Sequence, residues 1–219
     1  MKPIIVFSGI DSAGKSTQIR LLKTEFMENH LRHKVIWSRG GYTSGFETVK
    51  KIMRFIFRKK LPNPGRNIGR QVLFDKKPVT KIWYVLAMLD LIRLYAITFR
   101  IYRLFGFTIV ADRYLWDTYV DFKMSLKNVD IDKSILWKIA VFLSPTPKKA
   151  ILLYVSPEVS FQRSKEKKEP YFDTLEIRTR RVETYLSLIE KKKWTLVIDT
   201  ETKDIQSTYK EIEGHIHGL

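Results

Sequence analysis

The chain has 219 residues, 44% of them hydrophobic, which is enough for one good core and, by length, for a single domain over 1–219. It contains no cysteine, which excludes disulfides, thiolate nucleophiles and cysteine-ligated metals and suits a reducing compartment. Forty Lys and Arg against 23 Asp and Glu leave a net charge of +17, so nucleic acid, a membrane surface or a phosphorylated substrate is expected as an anionic partner.

Along the chain, Met1 to Gly9 holds only the short apolar run Ile4–Phe7. That is far from the apolar core of a secretory signal, and a cytoplasmic location is expected. β-branched runs predict strands at Ile4–Ser8, Lys34–Ser38, Thr108–Ala111, Ala150–Val155 and Thr195–Ile198, separated by segments of helical period. Such alternation predicts an α/β fold with a parallel sheet and helices on both faces. Between Lys50 and Arg103, 14 Lys and Arg face only Asp75 and Asp90, so most of the charge excess sits there. Within it, the basic and aromatic Lys50–Lys60 suits either an anionic bilayer surface or the border of an anionic substrate. Leu61 to Thr80 is broken by Pro62, Pro64, Gly65, Gly69 and Pro78 and reads as an exposed basic insertion. Lys81 to Phe107 is long, apolar and aromatic, but Asp90, Arg93, Arg100 and Arg103 interrupt it too often for a membrane span. A buried helix lining a pocket and a dimer face explains it better.

Two stretches carry chemistry. Gly9-Ile10-Asp11-Ser12-Ala13-Gly14-Lys15-Ser16, followed by Thr17, fits G-x-x-x-x-G-K-[ST] between a predicted strand and a predicted helix. Glycines let the backbone N–H groups turn around phosphate oxygens, the helix N-terminus adds positive charge, Lys15 reaches the outer phosphates and Ser16 can bind Mg²⁺. An ordinary glycine turn before a helix is the bland alternative. Asp11, inside this loop, suits either a sugar hydroxyl or attacking phosphate, or simply a tight turn. The second stretch ends the strand Thr108–Ala111 in Asp112-Arg113-Tyr114, at the carboxyl edge where ligands of parallel sheets bind. Arg113 can grip a phosphate through two N–H groups, while Asp112 can hold a Mg²⁺-bound water or orient that Arg. A structural Asp–Arg pair capping the next helix is the competing reading.

With these residues in place, the chain resembles the thymidylate kinase family within the nucleoside monophosphate kinases. "GIDSAGKSTQ", "VADRY", "LLYVSPEVSFQRSKEKKE" and "RTRRVETYLSL" followed by "WTLVIDT" carry the resemblance over most of the length. It implies a P-loop kinase fold on a five-stranded parallel sheet with a short basic lid at about 163–175, and a homodimer. It further implies phosphoryl transfer from ATP with Mg²⁺ to a nucleoside monophosphate, with dTMP the first choice. By the same resemblance Lys15, Ser16 and Thr17 serve ATP and Mg²⁺, Asp112 joins Ser16 at the metal, and Asp11, Arg39, Arg93, Asp112, Arg113 and Tyr114 face the acceptor. Lys15, Asp11, Arg113 and Arg163 carry catalysis, and Lys165, Lys167 and Lys168 complete the lid. The chemistry needs no general base, because a phosphate monoester oxygen is already anionic. His30, His33, His215 and His217 are therefore read as surface residues.

Three departures bear on the substrate. Ser8 stands where the family often has an acid, the base-reading position falls near Ile92 between Asp90 and Arg93, and the 61–80 insertion is long. Two other readings accompany the leading one: another phosphorylated acceptor on the same fold, and a non-catalytic scaffold docking on nucleic acid or on an anionic membrane. The co-occurrence of Lys15, Ser16, Asp112 and Arg113 speaks against the scaffold, and nucleic acid is not expected as a partner.

Overall fold

Ile4–Ser8 is buried at all five positions, a pattern that suits a strand covered on both faces. It forms β1, the centre of a five-stranded sheet of order β2-β3-β1-β4-β5. Every pairing in that sheet is parallel. The partners are β2 (His33–Trp37), β3 (Thr108–Asp112), β4 (Lys149–Tyr154) and β5 (Leu196–Asp199). Each predicted strand is recovered with its ends displaced by no more than one residue. The computed structural model describes residues 1–39, 43, 77–126, 128–167, 173–191 and 193–218.

Helices fill the intervals: α1 (Lys15–Glu28), α2 (Lys77–Ile92), α3 (Phe99–Leu104), α4 (Leu115–Ser125), α5 (Ile135–Leu143), α6 (Pro157–Glu166), α7 (Leu175–Glu190) and α8 (Ile205–His217). α1 buries Ile19, Leu22 and Phe26, a stripe at helical spacing. It ends in a Schellman turn, with His30 left-handed at φ 51° and the N–H groups of His30 and Leu31 donating to the carbonyls of Met27 and Phe26. That turn hands the chain directly to β2.

The described residues form two compact units. The first draws on 1–37, 101–120 and 146 onward, and holds the whole sheet. Its core is built on Ile4, Ile5, Phe7, Ile109, Val110, Ile151 and Leu152, all nearly inaccessible to solvent. The second contains the described residues within 38–100 and 121–145. There Tyr84, Met88, Leu91 and Tyr95 are buried, Trp83 and Tyr84 pack edge-on against Phe122, and the Tyr95 and Ser38 hydroxyls are 2.9 Å apart. α2 begins inside the proline-broken stretch, with Pro78 in its first turn, where a missing N–H breaks no helical bond. Lys50–Lys60 and the insertion as far as residue 76 lie outside the described residues.

A π-helical segment, Arg93–Thr98, joins α2 to α3. Among the described residues one stretch, Val79–Leu104, is long and apolar enough to cross a bilayer, with mean hydropathy 1.6. Half of its most apolar window is buried within the protein.

Candidate active site

β1 ends at Ser8 and α1 begins at Lys15, so the six residues between them must reverse direction in a tight loop. Three of them take left-handed or positive-φ backbone: Gly9 at 138°, Ser12 at 61° and Gly14 at 88°. At Gly9 a Cβ would collide with the backbone oxygen of Leu153 on β4, so only glycine fits. The loop's carbonyls are claimed from outside. Ser160 Oγ donates to the Asp11 carbonyl at 2.8 Å and Thr200 Oγ1 to that of Ala13 at 3.2 Å. In a trans peptide the next N–H points the opposite way, so the Ser12 and Gly14 amides point away from Ser160 and Thr200, an arrangement compatible with a phosphate cradle.

Lys15 is buried, and its ammonium donates to the carbonyls of Gly9 at 2.9 Å and Ile10 at 2.6 Å. Burial, seconded by the charge of Arg113, lowers its pKa to about 8. The sheet register explains the crowding, since Phe7 on β1 sits opposite Asp112 on β3 and the two strand ends open side by side. Arg113 follows Asp112 with φ 77°, a conformation that a non-glycine residue adopts only when its surroundings impose it. Its N–H donates to the Phe7 carbonyl at 2.9 Å. Its guanidinium is buried and donates to Asp11 Oδ1 at 2.5 Å and to the Gly9 carbonyl at 3.3 Å. The two acids and two cations singled out in the sequence, Asp11, Asp112, Lys15 and Arg113, thus act on one another's charge.

A divalent cation fits this donor set. Asp112 Oδ1 is buried with no hydrogen-bond partner, and burial pushes its carboxyl pKa up against the pull of Lys15 and Arg113. A buried carboxylate oxygen left without a donor is the kind of group that a metal-bound water completes. Ser16 is exposed at the start of α1, where its hydroxyl is open to a ligand.

The other expected site residues are placed as follows. Arg163 lies near the end of α6 and donates to the Thr200 carbonyl at 3.0 Å, just past β5. Lys165 and Lys167 are exposed at the same helix end, whereas Lys168 and the lid residues as far as 172 lie outside the described residues. Tyr114 is buried, and its N–H donates to Asp117. In the second unit, Arg39 grips Asp121 through two nitrogens at 3.0 and 3.3 Å. Arg93 likewise holds Asp90 at 2.8 and 3.2 Å, and Asp90 also accepts from the Thr43 hydroxyl.

Sequence reading missed Asp117, Tyr185, Ser160 and Arg178. Asp117 accepts hydrogen bonds from Ser8, Gly9, Tyr114 and Tyr185. Arg178, buried on α7, donates to Ser160 Oγ at 2.5 Å and so supports the hydroxyl that holds Asp11. A signal existed for Asp117 alone: an acid three residues into a helix is the far half of a capping box.

No curated protein matches the chain at a significant level. The thymidylate kinase family model matches residues 65–212, more than half of the sequence. The match spans Arg93, Asp112, Arg113 and Arg163 but stops short of the phosphate loop, which therefore supports the same reading independently. With a P-loop between β1 and α1, a five-stranded parallel sheet and this match, the chain belongs to the thymidylate kinase family of nucleotide kinases.

Proposed function

We propose that the protein transfers the γ-phosphoryl group of ATP to a nucleoside monophosphate, with dTMP the preferred acceptor. The observation that carries this reading is the buried Arg113, held by Asp11 at 2.5 Å beside the phosphate loop. Asp11 is about a third exposed, so an entering acceptor phosphate can take its place on the guanidinium and meet a bidentate donor. A neutral hydroxyl would leave that buried cation poorly matched, which favours a phosphorylated acceptor over a nucleoside or a free sugar.

On this reading the loop amides of Ser12 and Gly14 hold the outer phosphates of ATP. Lys15 leaves its resting carbonyls on Gly9 and Ile10 to neutralise charge on the transferring group. Ser16, and Asp112 through a bound water, would hold Mg²⁺, which would supply charge compensation for the phosphates. The acceptor phosphate attacks in line as an anion, so the protein's work is positioning and charge stabilisation, not proton removal. Arg163 and the basic residues that follow it add positive charge from α6.

The base is the less constrained part. Arg93 is committed to Asp90, and a base must either compete for that pair or read it as it stands. This favours weaker discrimination among monophosphates than a dedicated base-reading Arg gives, and keeps other nucleotides or a sugar phosphate as the second reading. Coupled ADP release with dTMP, dUMP, dCMP, AMP, thymidine and a set of sugar phosphates tests both. The expected result is turnover of monophosphates led by dTMP, within about tenfold of the next nucleotide, since the one methyl group that separates dTMP from dUMP is worth about tenfold at the low end of its range. Thymidine outpacing every monophosphate contradicts the acceptor assignment, and sugar phosphates alone as substrates establish the second reading.

A further inference from the structure

Asp117 is only 1% exposed, yet both of its carboxylate oxygens are fully engaged. Oδ2 accepts from the Ser8 hydroxyl at 2.6 Å and the Tyr114 N–H at 3.0 Å. Oδ1 accepts from the Gly9 N–H at 3.2 Å and the Tyr185 hydroxyl at 2.7 Å. The donors come from four places: the end of β1, the first residue of the phosphate loop, the turn after β3, and α7. Capping α4 requires only the Tyr114 bond. The remaining three join the phosphate loop to the Arg113 turn through one side chain.

We propose that Asp117 is a positioning residue for phosphoryl transfer, fixing the phosphate loop and the Arg113 guanidinium as one rigid cradle so that donor and acceptor phosphates meet at a set separation. The proposal rests on the kinase reading above. Two features of the geometry carry it beyond a helix cap. First, Arg113 faces two carboxylates, Asp11 at 2.5 Å and Asp117 at 3.9 Å. Asp11 is 34% exposed and Asp117 is sealed, so an incoming phosphate displaces Asp11 and leaves Asp117 as the permanent counter-charge that keeps the guanidinium aimed. Second, the Gly9 backbone is held on both sides of its Cα. Its N–H is held by Asp117, and its carbonyl by Arg113 at 3.3 Å and Lys15 at 2.9 Å. When Lys15 departs for the ATP phosphates, the bonds to Asp117 and Arg113 keep the loop from rolling out of its cradle shape.

Two variants separate positioning from capping. Ser8→Ala/Tyr185→Phe removes two of the four donors to Asp117, together with the long 3.5 Å bond from the Tyr185 hydroxyl to the Gly9 carbonyl, and leaves the Tyr114 and Gly9 N–H bonds to Asp117 in place. Asp117→Asn keeps the side chain's shape but has a single acceptor oxygen, whereas Gly9 and Tyr114 donate to different ones. Both are compared with the parent by calorimetric titration of Mg-ADP and by kcat and acceptor KM at saturating ATP, well below each variant's Tm. The Mg-ADP Kd is expected to rise at least about fivefold in Asp117→Asn and about threefold in the double variant, the scale of one or two weakened charge-assisted hydrogen bonds. kcat should fall about tenfold or more while acceptor KM rises, because misaimed reacting groups lose rate as well as affinity. A folded double variant with Kd and kcat within about twofold of the parent reduces Asp117 to a helix cap and overturns the proposal. If Asp117→Asn does not fold, the double variant decides. A parent that binds Mg-ADP but turns over no acceptor overturns the kinase reading, and the Kd comparison still decides the role of Asp117.

Discussion

At the scale of single residues, Lys15 links the resting structure to a measurable pH dependence. Its ammonium is buried on loop carbonyls and its pKa is lowered from 10.5 to about 8, so between those values the unfolded chain binds more protons than the folded one. Stability contributed by this group therefore rises as pH climbs through that window, and the burial penalty is fully present below about 8. Nucleotide binding has the opposite sign, because phosphates favour the charged ammonium. ATP affinity is expected to be flat below pH 8 and to weaken above it, by up to about tenfold per pH unit, with uptake of a proton on binding. Calorimetric titrations in buffers of different ionisation enthalpy measure both, and Lys15→Met should remove the inflection. Lys15, Asp11, Asp112 and Arg113 were legible in the sequence because each lies inside a short motif at a strand end. Tyr185 was not, and Asp117 showed only its capping role, since Ser8 lies 109 residues from Asp117 and Tyr185 lies 68 residues from it, and no local spacing encodes such a meeting.

At the scale of elements, the loop between β1 and α1 depends on its two glycines for different reasons. A Cβ at Gly9 meets the backbone oxygen of Leu153, which the neighbouring strand holds fixed, whereas a Cβ at Gly14 meets nothing within 4 Å. Gly9→Ala is expected to cost about 2–4 kcal/mol through a forced displacement of β4 or of the loop. Gly14→Ala should cost only the left-handed strain of a side chain, about 1–2 kcal/mol. Urea unfolding of the two variants gives the comparison directly, and equal losses would mean that Leu153 yields without cost. The central strands β1, β3 and β4 were easy to read, because burial on both faces forces continuous apolar runs. The π-helical segment at Arg93–Thr98 was not, because a change from i→i−4 to i→i−5 bonding alters the register of side chains without altering composition. It begins at Arg93, where the base-reading residue was sought within one position of Ile92.

At the scale of the whole molecule, the net charge of +17 and the family membership point the same way, toward anionic substrates held by converging cations. Charge alone left nucleic acid, membrane and nucleotide equally open. What narrowed the choice was the meeting of two motifs 104 residues apart, Gly9 with Arg113, on adjacent parallel strands. The measurement that tests the central claim most directly is ADP formation from ATP and dTMP by the parent and by Lys15→Ala, each with Mg²⁺ and with excess EDTA. Phosphate-loop catalysis gives Mg²⁺-dependent turnover in the parent and a loss of about a hundredfold or more in the folded variant, the effect of removing a cation from the transferring phosphoryl group. Equal rates in parent and variant, or a rate indifferent to EDTA, would contradict it.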